Sequence, residues 1–385
     1  MERSELVAAF AACGRADGHG LSIPPVCYAD GDIAAAEITG IFRDGWIGIG
    51  RADQVKGAGD FIVRDIAGQS IILLRDRDGV LRALANSCRH RAARLLDGSG
   101  TCRGLRCPFH SWAYRLDGTL VAAPQMDAVP GFDRACHSLV QYRAEDRLGF
   151  VFVCLNPDAP DLDHHLGNFA ALHEPWPMQT LVSTRRREMT VNCNWKAFLE
   201  VFNEYYHLPF VHPDSIDDVY APPDPPCAVT GAFASQFGAT EGTGGLLQTQ
   251  QHKALPTMPG LRGRAATGVR YSWVFPNMTF AAGSDALWVY EAYPLGPDRC
   301  HVVQTACFPP ETLQAPGADE KIASYHSRLD AALDEDIPAL ENQHGGLRHP
   351  DARQGPIHPL LEANVAGFAR YYADRMVSAL PDRLS

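Results

Sequence analysis

Residues 87–118 read SCRHRAARLLDGSGTCRGLRCPFHSWAYRLDG, and the chemistry of this stretch decides how the rest of the chain is read. It holds two arms, each with one thiol and one imidazole at short spacing: Cys88 and His90, then Cys107 and His110. Two kinds of metal site take two Cys and two His. A structural zinc ion is one, although zinc fingers usually pair Cys with Cys and His with His along the chain. A [2Fe–2S] cluster with two thiolates on one iron and two imidazoles on the other is the second, and arms that each bring one of both suit it better. Cys102 lies between the arms and reads as a packed thiol, because four ligands are already present.

The arms sit among short strand-like runs. FIVRDIAG, SIILLRD and VLRALAN are β-branched or aliphatic segments broken by Gly and Asp. Asp76–Val80 reads as a hairpin turn between two of them, and LGFVFVCLNP as one more buried strand. A small all-β domain is expected over residues 45–157. Beyond it the pattern changes. NCNWKAFLEVFNEYYHLPFVH reads as helical, and four stretches between residues 228 and 309 read as an antiparallel sheet. Residues 319–347 are helical again, and a last helix is expected over 360–379. Helices segregated from an antiparallel sheet predict an α+β domain over 158–385. Residues 1–44 are expected to form a helical segment packed on it.

The bulk properties agree with two domains, since 385 residues exceed one ordinary core. A formal net charge of −11 argues against nucleic acid as a partner. Eleven scattered Cys, an odd number, read as reduced thiols in a cytoplasm rather than a disulfide framework. The apolar run ending at Cys13 follows Glu2 and Glu5 and has no basic segment before it, so it reads as an amphipathic helix and not as a leader. No stretch has the roughly 18 uninterrupted apolar residues that a membrane span needs.

Residues 192–213 hold the second constellation. On a helix, Trp195, Phe198, Leu199, Phe202 and Tyr206 form an apolar stripe, and Lys196, Glu200, Asn203, Glu204 and His207 the opposite face. Alone, that is a solvated face. His212 changes the reading, because Pro209 bends the chain and lets His207 and His212 converge. Two His and one carboxylate make the facial triad of mononuclear iron(II). Asp330, Asp334, Glu335 and Asp336 are candidates for the carboxylate. Asp336 falls on the stripe formed by Ile322, Tyr325, Leu329, Leu333, Leu340 and Leu347, where a carboxylate needs a cation. Asp334 and Glu335 point elsewhere and read as surface charges, and Pro338 is expected to disturb the helix.

With its continuation CPFHSWAYRLDG, the first stretch resembles the Rieske domain of non-haem iron oxygenases, C-x-H-R-G…C-P-[YF]-H-G-W-x-Y-x-x-D-G. Cys88, His90, Arg91, Cys107, Pro108, Phe109, His110, Trp112, Tyr114, Asp117 and Gly118 match. Ala92 and Ser111 stand where Gly is usual, in ligand loops where Gly relieves strain. The second stretch resembles the N-W-K-x-x-x-E-N-x-x-D-x-Y-H-x-x-x-x-H run of the same oxygenases, with Asn194, Trp195, Lys196, Glu200, His207 and His212 in register. Their E-D-x-x-x-x-E-x-x-Q-x-G run also selects Asp336. Glu204 replaces the usual Asp, as in the enzymes built of α-subunits alone that oxidise quaternary ammonium compounds such as carnitine, glycine betaine, choline and stachydrine.

The resemblance implies an oxygenase α-subunit with a [2Fe–2S] cluster on Cys88, His90, Cys107 and His110 and iron(II) on His207, His212 and Asp336. Glu204, Asn203 and Glu200 are then the candidate catalytic residues, with Glu204 linking the iron to the cluster of a neighbouring subunit in a homotrimer. Electrons would come from NAD(P)H through a separate reductase, with or without a ferredoxin. The substrate is open between an alkylamine or betaine undergoing N-dealkylation and an aromatic or xenobiotic compound. A zinc-stabilised binding protein without catalysis is the reading from another class. An aromatic cage for a quaternary ammonium is sought among Phe233, Phe237, Trp273, Phe275, Phe280, Trp288 and Tyr290.

Overall fold

The computed structural model describes residues 3–380. The chain divides into two compact units, one of residues 43–159 and one that joins residues up to 42 with those from 160 onward.

The first unit is all β. Strands β1 (Trp46–Arg51), β2 (Asp60–Ile66), β3 (Gln69–Arg75), β4 (Leu81–Ala85), β5 (Ser99–Thr101), β9 (Gln141–Arg147) and β10 (Phe150–Cys154) form an antiparallel sheet in the order β1-β10-β9-β4-β3-β2-β5. Strands β6 (Leu105–Arg106), β7 (Ala113–Tyr114) and β8 (Leu120–Ala122) form a second, three-stranded sheet. The turn between β3 and β4 is set by Asp76, whose Oδ1 accepts from the backbone N–H groups of Asp78 and Val80. Cys88, Cys107, Trp112 and Tyr114 are buried in the same apolar core as Ile72, Leu74 and Leu84. Cys102 packs against the edge of that core.

The second unit is built on one antiparallel sheet in the order β11-β16-β15-β14-β13-β12: β11 (Val182–Val191), β12 (Phe233–Ala239), β13 (Gly268–Val274), β14 (Met278–Ala282), β15 (Leu287–Pro294) and β16 (Cys300–Phe308). Its helices are α1 (Arg3–Phe10), α2 (Gly31–Glu37), α3 (Leu162–Leu166), α4 (Phe169–His173), α5 (Trp195–Phe202), α6 (Leu208–Val211), α7 (Pro310–Leu313), α8 (Ala318–Leu347) and α9 (Ala363–Ala379). On one face of the sheet α9 lies along β12, and α5 along β14 and β15. On the other, His173 of α4 bonds Ser272 of β13.

Two expectations need correction. Residues 192–212 are not one helix. Asn194 caps α5 by accepting from the Lys196 N–H, and the helix stops at Asn203, whose own N–H bonds the Glu200 carbonyl. The chain resumes as the single turn α6, with Pro209 in its first positions, where a missing N–H costs nothing. Tyr206, placed on the apolar stripe by an unbroken helix, is therefore exposed. Pro338, in turn, does not break α8, which runs continuously through it; it removes only the N–H that would bond the Asp334 carbonyl.

Lys196 lies on the face that, taken alone, would be a solvated one, and the structure buries it. Lys196 is fully buried, its ammonium 2.5 Å from Glu37 Oε1, and it donates to the Cys27 carbonyl at 2.9 Å. Glu37 also accepts from Trp195 Nε1 at 2.8 Å and from Tyr372 Oη at 2.6 Å. One ion pair thus ties α2, α5 and α9 together, and α5 carries the chain into the site described next. Lys196→Met is expected to leave Glu37 buried without its counter-charge and to destabilise this unit by about 3–5 kcal/mol in urea unfolding. Glu37→Leu combined with Lys196→Met should recover much of that loss; a single Lys196→Met variant of unchanged stability would show that the pair is not needed.

Candidate functional site

The break in α5 decides where two imidazoles point. His207 ends the turn after Asn203, and His212 ends α6. Asp336 faces them from α8. His212 Nε2 lies 2.9 Å and His207 Nε2 3.6 Å from the same oxygen, Asp336 Oδ1. Among the described residues these three are the group whose ligand atoms all fall within 4.8 Å of one another. Asp336 Oδ1 is buried with no donor aligned on it. A buried carboxylate oxygen facing two imidazole nitrogens fits a bound cation, and the donor set suits iron(II).

Each imidazole is held from behind by a second carboxylate. His207 Nδ1 is 2.5 Å from Glu204 Oε1, and Glu204 Oε2 accepts from the backbone N–H groups of Tyr206 and His207. His212 Nδ1 is 2.5 Å from Glu335 Oε2, which Ser215 Oγ also contacts at 2.6 Å. A carboxylate on Nδ1 fixes the tautomer with its lone pair on Nε2, toward Asp336. Burial lowers the His212 pKa, but Asp336 and Glu335 outweigh it and raise the pKa overall. Glu335, read from the sequence as a surface charge, is therefore the orienting partner of His212. Asp330 is engaged elsewhere, by Arg185 and Arg187 of β11. Burial would raise its pKa, and the two arginines hold it low.

The other residues expected to be catalytic are not brought to the metal-facing side. Asn203 is buried, with Nδ2 donating to the Leu199 carbonyl at 2.7 Å and Oδ1 accepting from Thr279 Oγ1 at 3.0 Å. It locks the end of α5 onto β14. Glu200 accepts from Tyr28 Oη at 2.6 Å. Burial pushes its carboxyl up to about 7 despite that bond and the Lys196 charge. Both position the helix end from which His207 follows.

The triad opens on a small cavity lined by Phe202, Tyr205, Tyr220, Tyr271, Tyr290, Arg328 and Ala332 as well as the ligands. Of the seven aromatics sought as a cage, Tyr290 is the one on this wall. Trp273 stacks on Phe368 of α9 at 4.0 Å, Phe275 packs on the same ring, and Phe233 and Phe280 surround Phe169 and His173. Phe237 lies under Arg264, and Trp288 under Arg328. Sheet pairing and the helices on each face assign these side chains to core or cavity, and single-strand sequence does not show it.

In the first unit, the two Cys/His arms fold alike. Ala92 N–H bonds the Cys88 carbonyl at 2.9 Å and Cys88 N–H the Ala93 carbonyl at 2.9 Å; Ser111 N–H bonds the Cys107 carbonyl at 3.1 Å and Cys107 N–H the Trp112 carbonyl at 2.8 Å. Ala92 and Ser111, the two departures from Gly, take φ of +59° and +61°. Both arms therefore make the left-handed turn that Gly relieves, with a strained residue in its place. The His90 and His110 rings are 4.6 Å apart, and His90 Nδ1 is buried without a partner. Cys88 Sγ lies 3.3 Å from Tyr114 Oη, which also accepts from Arg89 N–H at 3.0 Å. Paired thiols and imidazoles on matched loops fit a two-iron cluster.

Family models match both parts of the chain. Residues 178–378 match the ring hydroxylating alpha subunit (catalytic domain) family. Residues 45–133 match the Rieske [2Fe-2S] domain, which removes the zinc reading of the arms. The chain is similar to the carnitine monooxygenase oxygenase subunit of Escherichia coli, 35% identical over 51% of this chain and 54% of that protein. The chain thus spans about half the length of the carnitine relatives it matches. The glycine betaine monooxygenase oxygenase subunit of Chromohalobacter salexigens is 27% identical over 93% of this chain and 86% of that protein. The crystal structure of the quaternary ammonium Rieske monooxygenase CntA with L-carnitine superposes with a TM-score of 0.77 over 97% of this chain and 99% of that one, at 23% identity. Naphthalene 1,2-dioxygenase from a Rhodococcus species gives 0.77 over 98% of both, at 20% identity. At such identities the likeness is one of fold.

Against a cluster thiolate, only the Tyr114 hydroxyl has a proton to donate. That bond stabilises the more electron-rich reduced cluster. Tyr114→Phe is expected to lower the reduction potential by roughly 20–65 mV, the equivalent of one hydrogen bond for a one-electron couple. Protein-film voltammetry measures it, and an unchanged potential would show that Tyr114 does not donate to Cys88.

Proposed function

The chain belongs to the ring-hydroxylating alpha subunits, and from that premise we propose that it is the terminal oxygenase of a multi-component Rieske monooxygenase that N-dealkylates an alkylamine or betaine. The observation that carries the reading is the convergence of His207, His212 and Asp336 at the floor of an aromatic-walled cavity. Cys88, His90, Cys107 and His110 would hold the [2Fe–2S] cluster, and the triad the iron. Together these groups supply one-electron transfer and activation of O2.

The net reaction consumes one O2, two electrons and two protons, converts a substrate C–H to C–OH and releases one water. Where that carbon adjoins a quaternary nitrogen, the C–N bond breaks with its electron pair going to nitrogen, the hydroxyl proton leaves, and an aldehyde is released. The chain's own residues set the geometry. Glu204 and Glu335 keep the two imidazoles in the ligating tautomer. Phe202, Tyr271 and Tyr290 wall the cavity, exclude water and present aromatic faces to an alkylammonium group. The electrons are proposed to come from NAD(P)H through a separate reductase, directly or through a ferredoxin, in the cytoplasm. Glu204 is proposed to pass them from the cluster of a neighbouring chain in a homotrimer, since its contact with His207 places it directly behind a ligand.

Oxygen uptake coupled to aldehyde release, screened over betaines, alkylamines, aryl ethers and anilides, tests the reaction; turnover confined to the aryl compounds would replace the substrate class. Asp336→Ala should lose mononuclear iron and turnover while keeping the cluster spectrum, and Asp330→Ala should keep both metals; the opposite pattern would reassign the ligand. Glu335→Gln is expected to weaken iron binding by about 10–100-fold in a metal titration, because His212 loses its carboxylate. Glu204→Gln should retain both metals and a reducible cluster yet form product far more slowly. Near-normal turnover in that variant would place the electron path elsewhere.

A further inference from the structure

The cavity over the triad contains a charge that the proposed chemistry does not use. Arg328 is only 4% exposed. Its guanidinium lies 5.3 Å over the Trp288 ring, and Nη2 donates to Tyr220 Oη at 3.2 Å. Nε is buried with no hydrogen-bond partner. Arg185 and Arg187, by contrast, share Asp330. Among the described residues no carboxylate stands within ion-pair distance of Arg328; Asp336 acts on it only through its field. Burial opposes the Arg328 charge, but the hydroxyls of Tyr220, Tyr271 and Tyr290 and the Asp336 carboxylate outweigh it, so the group stays protonated.

A buried, charged and under-bonded guanidinium lining a substrate cavity is costly until an anion meets it. Its planar donors match a carboxylate. The same feature disfavours a ligand that is only a cation, which would enter a low-dielectric space beside an unpaired positive charge. Arg328, Ala332 and Asp336 follow one another at four-residue steps, so Arg328 and the metal ligand leave the helix on one wall, their Cα atoms about 12 Å apart along its axis. We infer that Arg328 is the anion subsite of this cavity, and that the substrate is a zwitterion whose carboxylate pairs with Arg328 while its N-alkyl carbon lies over His207, His212 and Asp336. This rests on the proposed dealkylation reading and narrows it, setting apart betaines with a carboxylate from amino alcohols such as choline.

The test uses the metal-loaded protein and two probes that differ in one charge, 4-(trimethylammonio)butanoate and its methyl ester. Binding is measured by calorimetry, and formaldehyde is measured after a single turnover of dithionite-reduced protein with oxygen. The acid is expected to bind about 10–100-fold more tightly than the ester, the range of a charge-assisted hydrogen-bonded pair. Arg328→Gln should abolish that preference without weakening the ester, and Arg328→Lys should keep part of it. Cluster absorbance and thermal unfolding report whether each variant folds; if Arg328→Gln does not, the wild-type preference and Arg328→Lys decide. Equal binding of acid and ester to the wild-type protein, or a full preference surviving in Arg328→Gln, would overturn the subsite. Preference for the acid with no formaldehyde from any amine would sink the dealkylation reading and leave the subsite standing. Formaldehyde from both probes at equal affinity would do the reverse.

Discussion

The second unit is organised around one buried oxygen. Asp336 Oδ1 faces His207 Nε2 and His212 Nε2 with no aligned donor of its own. Three lone-pair donors pointed at one another repel unless a cation lies between them, so the fold must hold them together against that repulsion. It does so from behind, with Glu204 on one imidazole and Glu335 on the other. Glu204 is in turn fixed by two backbone N–H groups of the turn it belongs to. That turn exists because α5 stops at Asn203, and α5 is held in place by the Lys196–Glu37 pair inside the unit. Asp336, in contrast, is carried by a helix of 30 residues that continues through its proline.

How much of this was legible follows from the range of each interaction. The cluster arms, the two His and Asp336 were readable because their signals are local: short spacings, a proline, and a carboxylate on an apolar stripe. Glu335 was misread because a helical wheel places it off that stripe, and the wheel cannot show that His212 approaches from outside the helix. The burial of Lys196 is not legible on a helical wheel for the same reason. Its partner Glu37 lies far away in sequence, and the cover over that face of α5 comes from the N-terminal segment and α9. Strand β11 passed unnoticed because its run of arginines has no apolar alternation, and two of those arginines are spent on Asp330 of α8. Arg328 was within reach. It lies four residues before Ala332 and eight before Asp336, and the reasoning that singled out a carboxylate on the buried side of α8 applies equally to a guanidinium there.

The cluster loops show what a departure from a pattern costs. Where the pattern has Gly, Ala92 and Ser111 keep the left-handed backbone, and the turn hydrogen bonds of both arms are intact. A non-glycine residue in that conformation is less stable by roughly 1–2 kcal/mol. The surrounding core of Trp112, Tyr114 and the sheet residues Ile72 and Leu84 therefore over-determines the loop shape. The geometry belongs to the ligand arrangement and is kept whichever small residue occupies the turn.

Charge placement links the two ends of the cavity. Asp336 and its supporting carboxylates make the floor negative, which a divalent metal neutralises. Arg328, further along the same wall, makes that end positive and has no carboxylate within ion-pair distance among the described residues. Both residues sit on the same face of α8, so their separation is set by helix geometry and does not depend on a loop. A ligand with a positive and a negative end meets complementary charge in one orientation only, which brings its alkylammonium end toward the triad. The aromatic wall cannot impose that order, because Phe202, Tyr271 and Tyr290 offer ring faces without a direction. Orientation in this cavity is thus a matter of one arginine and one aspartate eight residues apart, while the rings set its shape and exclude water.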